Sequence, residues 1–169
     1  HNPRSLQRKL RGARTILILC HGNIIRSPFA AHFLAQSLKN KRSVSVYSAG
    51  LEAVNGLRAH PNAVSKARSL GFDLGSHRSA PVTEGMLARA DLVFGMEMSH
   101  LLLLHKRFPR VRGKVFLLSC LAPETPLEIS DPIQKDETEF TECLEQIIRA
   151  LKPIAVALGA SDSLNCISA

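Results

Sequence analysis

The chain predicts a three-layer α/β/α domain on a central parallel sheet of about four strands, and three observations carry that expectation. An apolar run without alternation, Ile16-Leu17-Ile18-Leu19, has the branching and length of a strand buried on both faces. Three further short runs follow at 44–48, 92–94 and 114–118, separated by segments with helical spacing. The first run also passes through a short loop straight into a helical pattern. That arrangement aims backbone N–H groups and the positive end of a helix dipole at one spot, which makes an anion site. In sheets of this kind, ligands bind at the carboxyl ends of the strands.

The elements follow in order. Residues 1–14 form a basic N-terminal extension, with Arg4, Arg8, Lys9, Arg11 and Arg14 and no acid. It reads as a solvated arm in preference to a docked segment, either extending a helix or staying mobile. Thr15–Leu19 is the first strand. Phe29, Phe33, Leu34 and Leu38 mark a helix over Ser27–Lys39, with Pro28 in its first turn and Lys39 and Lys41 suiting its end. Val44–Ser48 alternates as a second strand, and Gly50 after it permits close approach of a neighbouring loop. Asn55-Gly56 is a turn signal in the loop Leu51–His60. Pro61–Leu70 is a helix stopped by Gly71. Thr83 has N-cap character before a short helical stretch. Leu92-Val93-Phe94 is the third strand, Glu97–Lys106 a helix ending in cations, and Lys114–Leu118 the fourth strand. From Asp136, the positions Phe140, Cys143, Leu144, Ile147, Ile148 and Leu151 recur at three and four, so a long helix closes the domain. Pro153 is expected to kink or end it. The domain is placed at 15–158, with 159–169 as a tail.

Composition narrows the function. With 169 residues and 45% apolar content, one sizeable core can be buried. The net charge of +8 is unevenly spread: Lys106, Arg107, Arg110, Arg112 and Lys114 form a second basic run, while eight of the fourteen acids lie between Glu124 and Glu145. No aromatic residues are interleaved with the cations to stack bases, which argues against nucleic acid as a partner. Cys20, Cys120, Cys143 and Cys166 show no metal-ligand or disulfide-framework spacing, so no metal site is expected and a reducing, cytoplasmic setting is. No secretory leader is visible and no run is long enough to span a bilayer.

Chemistry concentrates on one loop. Cys20 ends the first strand and Arg26 opens the first helix, so an anion would sit between a sulfur nucleophile and a planar fork that matches two phosphate oxygens. A helix N-terminus and a guanidinium both favour a thiolate, and the Ser27 hydroxyl can donate to it. The leaving oxygen needs a proton. Asp131, in a Pro-punctuated loop beyond the last strand, is the best-placed acid and can later activate water. Singly these features are weak, since a lone cysteine after a strand is usually a small buried hydrophobe and Asp-Pro is usually a helix start.

Together they resemble a known family. Cys20-His21-Gly22-Asn23-Ile24-Ile25-Arg26-Ser27-Pro28 is similar to the C-x5-R-S-P signature of low-molecular-weight protein tyrosine phosphatases. The likeness continues through Ser48-Ala49-Gly50, Gly71 to His77-Arg78-Ser79, Ala90 to Val93, Met96-Glu97 and Asp131-Pro132. The resemblance implies a cofactor-free hydrolase with Cys20 as nucleophile, Arg26 as phosphate clamp and Asp131 as general acid, acting through a cysteinyl-phosphate and releasing inorganic phosphate. It implies a phosphate-binding loop of residues 21–27 between strand 1 and helix 1, supported by Asn23, Ser27, Ser48 and His77. The segment SAGLEAVNGLRAHP, with HRSAPVT after it, resembles bacterial members that accompany polysaccharide-export tyrosine kinases. There the substrate is a phosphotyrosine-rich kinase tail.

Two departures stand out. Ile25 replaces a second cysteine that in relatives can protect the nucleophile as a disulfide. Ile133 replaces the tyrosine that usually follows Asp-Pro, and with Leu51 opposite it the substrate slot is expected to be aliphatic. Arsenate reductases share the loop but need cysteines that the stretch Gly71–Gly95 lacks. Protein arginine phosphatases carry threonine where Ile24 stands, and a non-catalytic phosphopeptide-binding module would not need Asp131.

Overall fold

In the computed structural model, which describes residues 3–39 and 44–160, β1 (Thr15–Cys20) is the inner strand on which the others assemble. It pairs in parallel with β2 (Ser45–Gly50) on one side and β3 (Leu92–Gly95) on the other. β4 (Val115–Leu117) lies beyond β3, giving the order β2-β1-β3-β4. The register sets Cys20 beside Gly50 and Leu19 beside Gly95, so three carboxyl ends open onto one place. At the other end, the Asp91 carboxylate accepts from the N–H groups of Arg14 and Thr15 at 2.8 and 2.9 Å and pins the start of β1.

Alternation along β1 sorts its side chains into two cores. Ile16 and Ile18 face α1 (Pro3–Gly12), α2 (Arg26–Ser37), α3 (Pro61–Ser69) and α6 (Glu137–Ala157). Leu17 and Leu19 face α4 (Glu84–Arg89), α5 (Met98–Arg107) and a 3-10 helix at Pro109–Lys114. Three layers result, as expected. The caps are local: Thr83 accepts from Met86 N–H, Asp136 from Glu139 N–H, and Gly71 takes φ 80° after α3.

One expectation needs correction and another is narrowed. The N-terminal extension is not a solvated arm, because residues 3–12 form α1 and pack on α6, with Leu6 and Leu10 both 0% exposed. The two leucines stand one turn apart, so a single narrow stripe enters the core while Arg8, Lys9 and Arg11 face solvent. Pro153 does not end α6, which continues to Ala157. One lost backbone bond is outweighed by the burial of Ile154, Ala155 and Leu158. Lys41, Cys166 and the tail from 161 onward lie outside the described residues, within which no helix is long and apolar enough to cross a membrane.

Removing the α1 anchor tests the first correction. Leu6→Ala is expected to lower unfolding free energy by about 2–5 kcal/mol, read from the urea midpoint. A solvated arm would leave the midpoint unchanged.

Candidate active site

β1 delivers Cys20 to the sheet edge, and the chain then wraps around its sulfur before α2 begins at Arg26. Asn23 makes the wrap possible. It takes φ 56°, a left-handed conformation that asparagine tolerates better than most residues, and its N–H points at Cys20 Sγ from 3.3 Å. Its side chain is fully buried and fully bonded. Nδ2 donates to Ser27 Oγ at 2.8 Å and to Ser48 Oγ at 3.0 Å, while Oδ1 accepts from Ala80 N–H at 3.0 Å. Because Ser27 receives that bond on a lone pair, its own proton is free for Cys20 Sγ at 3.0 Å or the Ala49 carbonyl at 3.3 Å. The expected supports Asn23, Ser27 and Ser48 are therefore brought together. Gly50 is required here: a Cβ would lie 2.5 Å from the His21 carbonyl oxygen.

His77 closes the loop from the other side, its Nε2 donating to the Asn23 carbonyl at 2.8 Å. Burial holds its pKa below the ordinary histidine value against the pull of that bond, with His32 and Arg78 adding to the depression.

Arg26 is nearly inaccessible, and the structure surrounds it with acceptors. Nη1 donates to Glu97 Oε1 and to the Ile129 carbonyl at 2.9 Å, and Nη2 to Asp131 Oδ2. Burial alone would lower its pKa, but the charges on Cys20, Asp131 and Glu97 outweigh that and raise it. Of its five N–H donors, those three bonds leave Nε–H and one on Nη2 for a ligand among the described residues. Cys20, Arg26 and Asp131 are thus assembled around one point. Glu97 and the Ile129 carbonyl had no assigned role from sequence. The available signal was an acid at the end of the third strand, followed by no other acid until Glu124.

The rim differs from the expectation. Leu51 is only 5% exposed and packs with the second core, because its N–H still bonds the Cys20 carbonyl at 2.9 Å and continues the strand register. It has little surface to offer a substrate ring. Val54, at 65%, and Leu57 are the exposed aliphatics of that loop, and Ile133 is exposed. Ile133 N–H caps Asp131 Oδ1 at 3.2 Å. Around the loop, Gly22 and Ile24 border it, and the Ile24 carbonyl accepts from His60 N–H at 2.8 Å. Ile25 is buried at the N-cap of α2 without a side-chain cap, so the first-turn N–H groups keep no side-chain partner there. His21 is exposed, 3.8 Å from Glu52. Cys20, Cys120 and Cys143 are free thiols, and burial pushes Cys120 up to about 11 and Cys143 up to about 12. No group of His, Cys, Asp and Glu among the described residues is arranged to hold a metal ion.

Comparison with known proteins agrees with this geometry. Residues 15–163 match the family model described as low molecular weight phosphotyrosine protein phosphatase. The chain is 39% identical to a probable low molecular weight protein-tyrosine-phosphatase EpsP of Ralstonia nicotianae, over 82% of this chain and 91% of that protein. It is 34% identical to the low molecular weight protein-tyrosine-phosphatase Wzb of Escherichia coli K12, over 86% and 95%. The crystal structure of tyrosine phosphatase Wzb from Escherichia coli K30 with sulphate superposes with a TM-score of 0.80 at 31% identity, covering 87% of this chain and 99% of that one.

Two measurements check the electrostatic account. Asn23→Ala removes three buried bonds and is expected to destabilise the protein by about 2–4 kcal/mol, with a fall in phosphatase kcat. His100 is buried against Met96 N–H, which its Nδ1 accepts at 3.2 Å, and burial with nearby Arg26 lowers its pKa from 6.5 to about 4. The neutral ring is the folded form. Stability is therefore present above pH 6.5 and lost as pH falls toward 4, by on the order of 2–3 kcal/mol. In His100→Asn, which keeps an acceptor, the urea midpoint should lose that part of its pH dependence.

Proposed function

The chain belongs to the low molecular weight phosphotyrosine protein phosphatase family and is a protein-tyrosine phosphatase, a phosphoric monoester hydrolase; from that premise we propose that Cys20, Arg26 and Asp131 carry its reaction. The observation behind this is the convergence of the Cys20 sulfur, the Arg26 fork and the Asp131 carboxylate from segments 105 residues apart. Substrate phosphate oxygens take the free Nε–H and Nη2–H of Arg26 and the N–H groups of residues 21–27. The Cys20 thiolate attacks phosphorus, an S–P bond forms, and the P–O bond to the phenol breaks. Asp131 gives its proton to the departing oxygen. In the second step Asp131 takes a proton from water, the water oxygen attacks phosphorus, the S–P bond breaks and inorganic phosphate leaves. Charge spreading onto the equatorial oxygens is met by the guanidinium and loop N–H groups, aimed in advance.

Asp131 is bonded to Nη2 of the clamp. A phosphate that takes over the Arg26 fork releases that carboxyl toward the leaving group. Asn23, Ser27, Ser48 and His77 act by holding the loop, and Ile133, with Val54 in place of Leu51, forms an aliphatic slot. The catalytic domain in this reading is 15–158. Its substrate is a phosphotyrosine protein of the bacterial cytoplasm, a tyrosine kinase tail or exopolysaccharide-pathway protein, as the SAGLEAVNG resemblance suggests.

Turnover of p-nitrophenyl phosphate and a phosphotyrosine peptide tests the assignment. Cys20→Ser should lower kcat by at least about 10³-fold. Asp131→Asn should lower it by about 10²-fold or more on phosphotyrosine, and by less on p-nitrophenyl phosphate, whose better leaving group needs less protonation. Activity surviving Cys20→Ser overturns the mechanism, and faster turnover of phosphoarginine than phosphotyrosine peptides overturns the substrate class.

A further inference from the structure

We propose that the cavity between α3 and the segment 74–78 is a second, non-catalytic site for an aryl phosphate, holding a further phosphotyrosine of a multiply phosphorylated substrate; the identity of that ligand rests on the phosphatase reading above. The cavity encloses ≈ 340 Å³. Its floor is apolar, made by the buried Leu74 and Ala59 with Val64 beside them, and Arg58 and Arg68 stand in its walls. Charge here is one-sided. Residues 53–83 carry Arg58, Lys66, Arg68 and Arg78 against a single acid, Asp73. Lys66 Nζ turns to Glu145 Oε1 at 3.7 Å, and Asp73 Oδ1 accepts from the Gly75 N–H at 2.8 Å. No acid lines the cavity, and the Arg58 and Arg68 guanidiniums have no partner among the described residues.

A second observation points to an anion. Arg58 and Arg78 are direct partners in an isolated antiparallel bridge, a placement in which like charges repel. Arg78 Nη1 is drawn to the Gly75 and His77 carbonyls at 3.3 and 2.7 Å, which leaves Arg58 facing the cavity without an acid. A phosphate between Arg58 and Arg68 relieves that repulsion and takes two planar forks. The ring of an aryl phosphate covers the Leu74, Ala59 and Val64 floor, for which inorganic phosphate has no use. No aromatic side chain lines the cavity to stack a nucleotide base. The walls also hold the catalytic loop. His60, next after Ala59, donates its N–H to the Ile24 carbonyl, and His77, two residues beyond Gly75, donates from Nε2 to the Asn23 carbonyl, both at 2.8 Å. A peptide whose two phosphotyrosines are spaced to span both sites is retained at a raised effective concentration.

Calorimetric titration of the full chain carrying Cys20→Ser, with a peptide bearing one phosphotyrosine, tests the site. Two binding events are expected, and adding Arg58→Ala and Arg68→Ala should abolish the weaker one while the tighter one stays. Inorganic phosphate and AMP should each bind the weaker site at least about fivefold less tightly than the peptide. In the wild type, doubly phosphorylated peptides of varied spacing should reach a KM about five- to tenfold below that of the singly phosphorylated one. The double arginine variant should lose that gain with p-nitrophenyl phosphate turnover unchanged, which also shows that it is folded. A single binding event in the Cys20→Ser chain, or a weaker event that survives the arginine substitutions, would overturn the site. So would phosphate or AMP binding there as tightly as the peptide, or equal KM values at every spacing. A wild type inactive on p-nitrophenyl phosphate would instead count against the phosphatase reading, on which the weaker binding event does not depend.

Discussion

The buried amide of Asn23 is the constraint on which the site depends. A left-handed backbone at a non-glycine residue is unfavourable by about 1 kcal/mol, and the fold offsets it with the hydrogen bonds that the buried Asn23 makes in this conformation. Ser48 on β2 accepts from the side-chain amide, Ala80 on a distant loop donates to its oxygen, His77 donates to the Asn23 carbonyl, and the N–H is left facing the sulfur. Each contact ties the loop to a different element. The sulfur's surroundings are therefore set by the sheet and not by the loop's own preferences.

Arg26 presents the complementary problem, a cation almost fully removed from water. An unpaired guanidinium in that position would be strongly destabilising, and Glu97, Asp131 and the Ile129 carbonyl supply what water no longer can. The same groups orient the fork. Because the acceptors occupy only part of it, the residue is both neutralised and ready for an oxyanion, which is the preorganisation that acyl and phosphoryl transfer sites share.

Much of this was legible from residue order. Strand β1, the amphipathic face of α6, the Thr83 cap and the tight approach at Gly50 are each encoded within a few neighbouring residues, and the structure has them where the pattern put them. That Cys20 and Arg26 flank one loop could be anticipated because a strand end and a helix start define an anion site locally. What escaped were features decided elsewhere in the chain. Two leucines among four cations give α1 too weak a stripe to be read without knowing that α6 offers a surface for it. Leu51 faces inward because one more bond to β1 extends its register, and a single residue's shift reverses which side it takes. Glu97 acquires its importance only from a guanidinium 71 residues away.

The sequence separations of those contacts bear on how the chain reaches its working state. Asn23 and Ala80 are 57 residues apart, Arg26 and Asp131 are 105, and all three strand pairings are parallel. Such contacts carry the largest loop-closure entropy and form after the local helices do. In the proposed mechanism all of these contacts are needed at once, so a partly folded chain that holds Cys20 and Arg26 without Asp131 beside them lacks the acid the reaction requires.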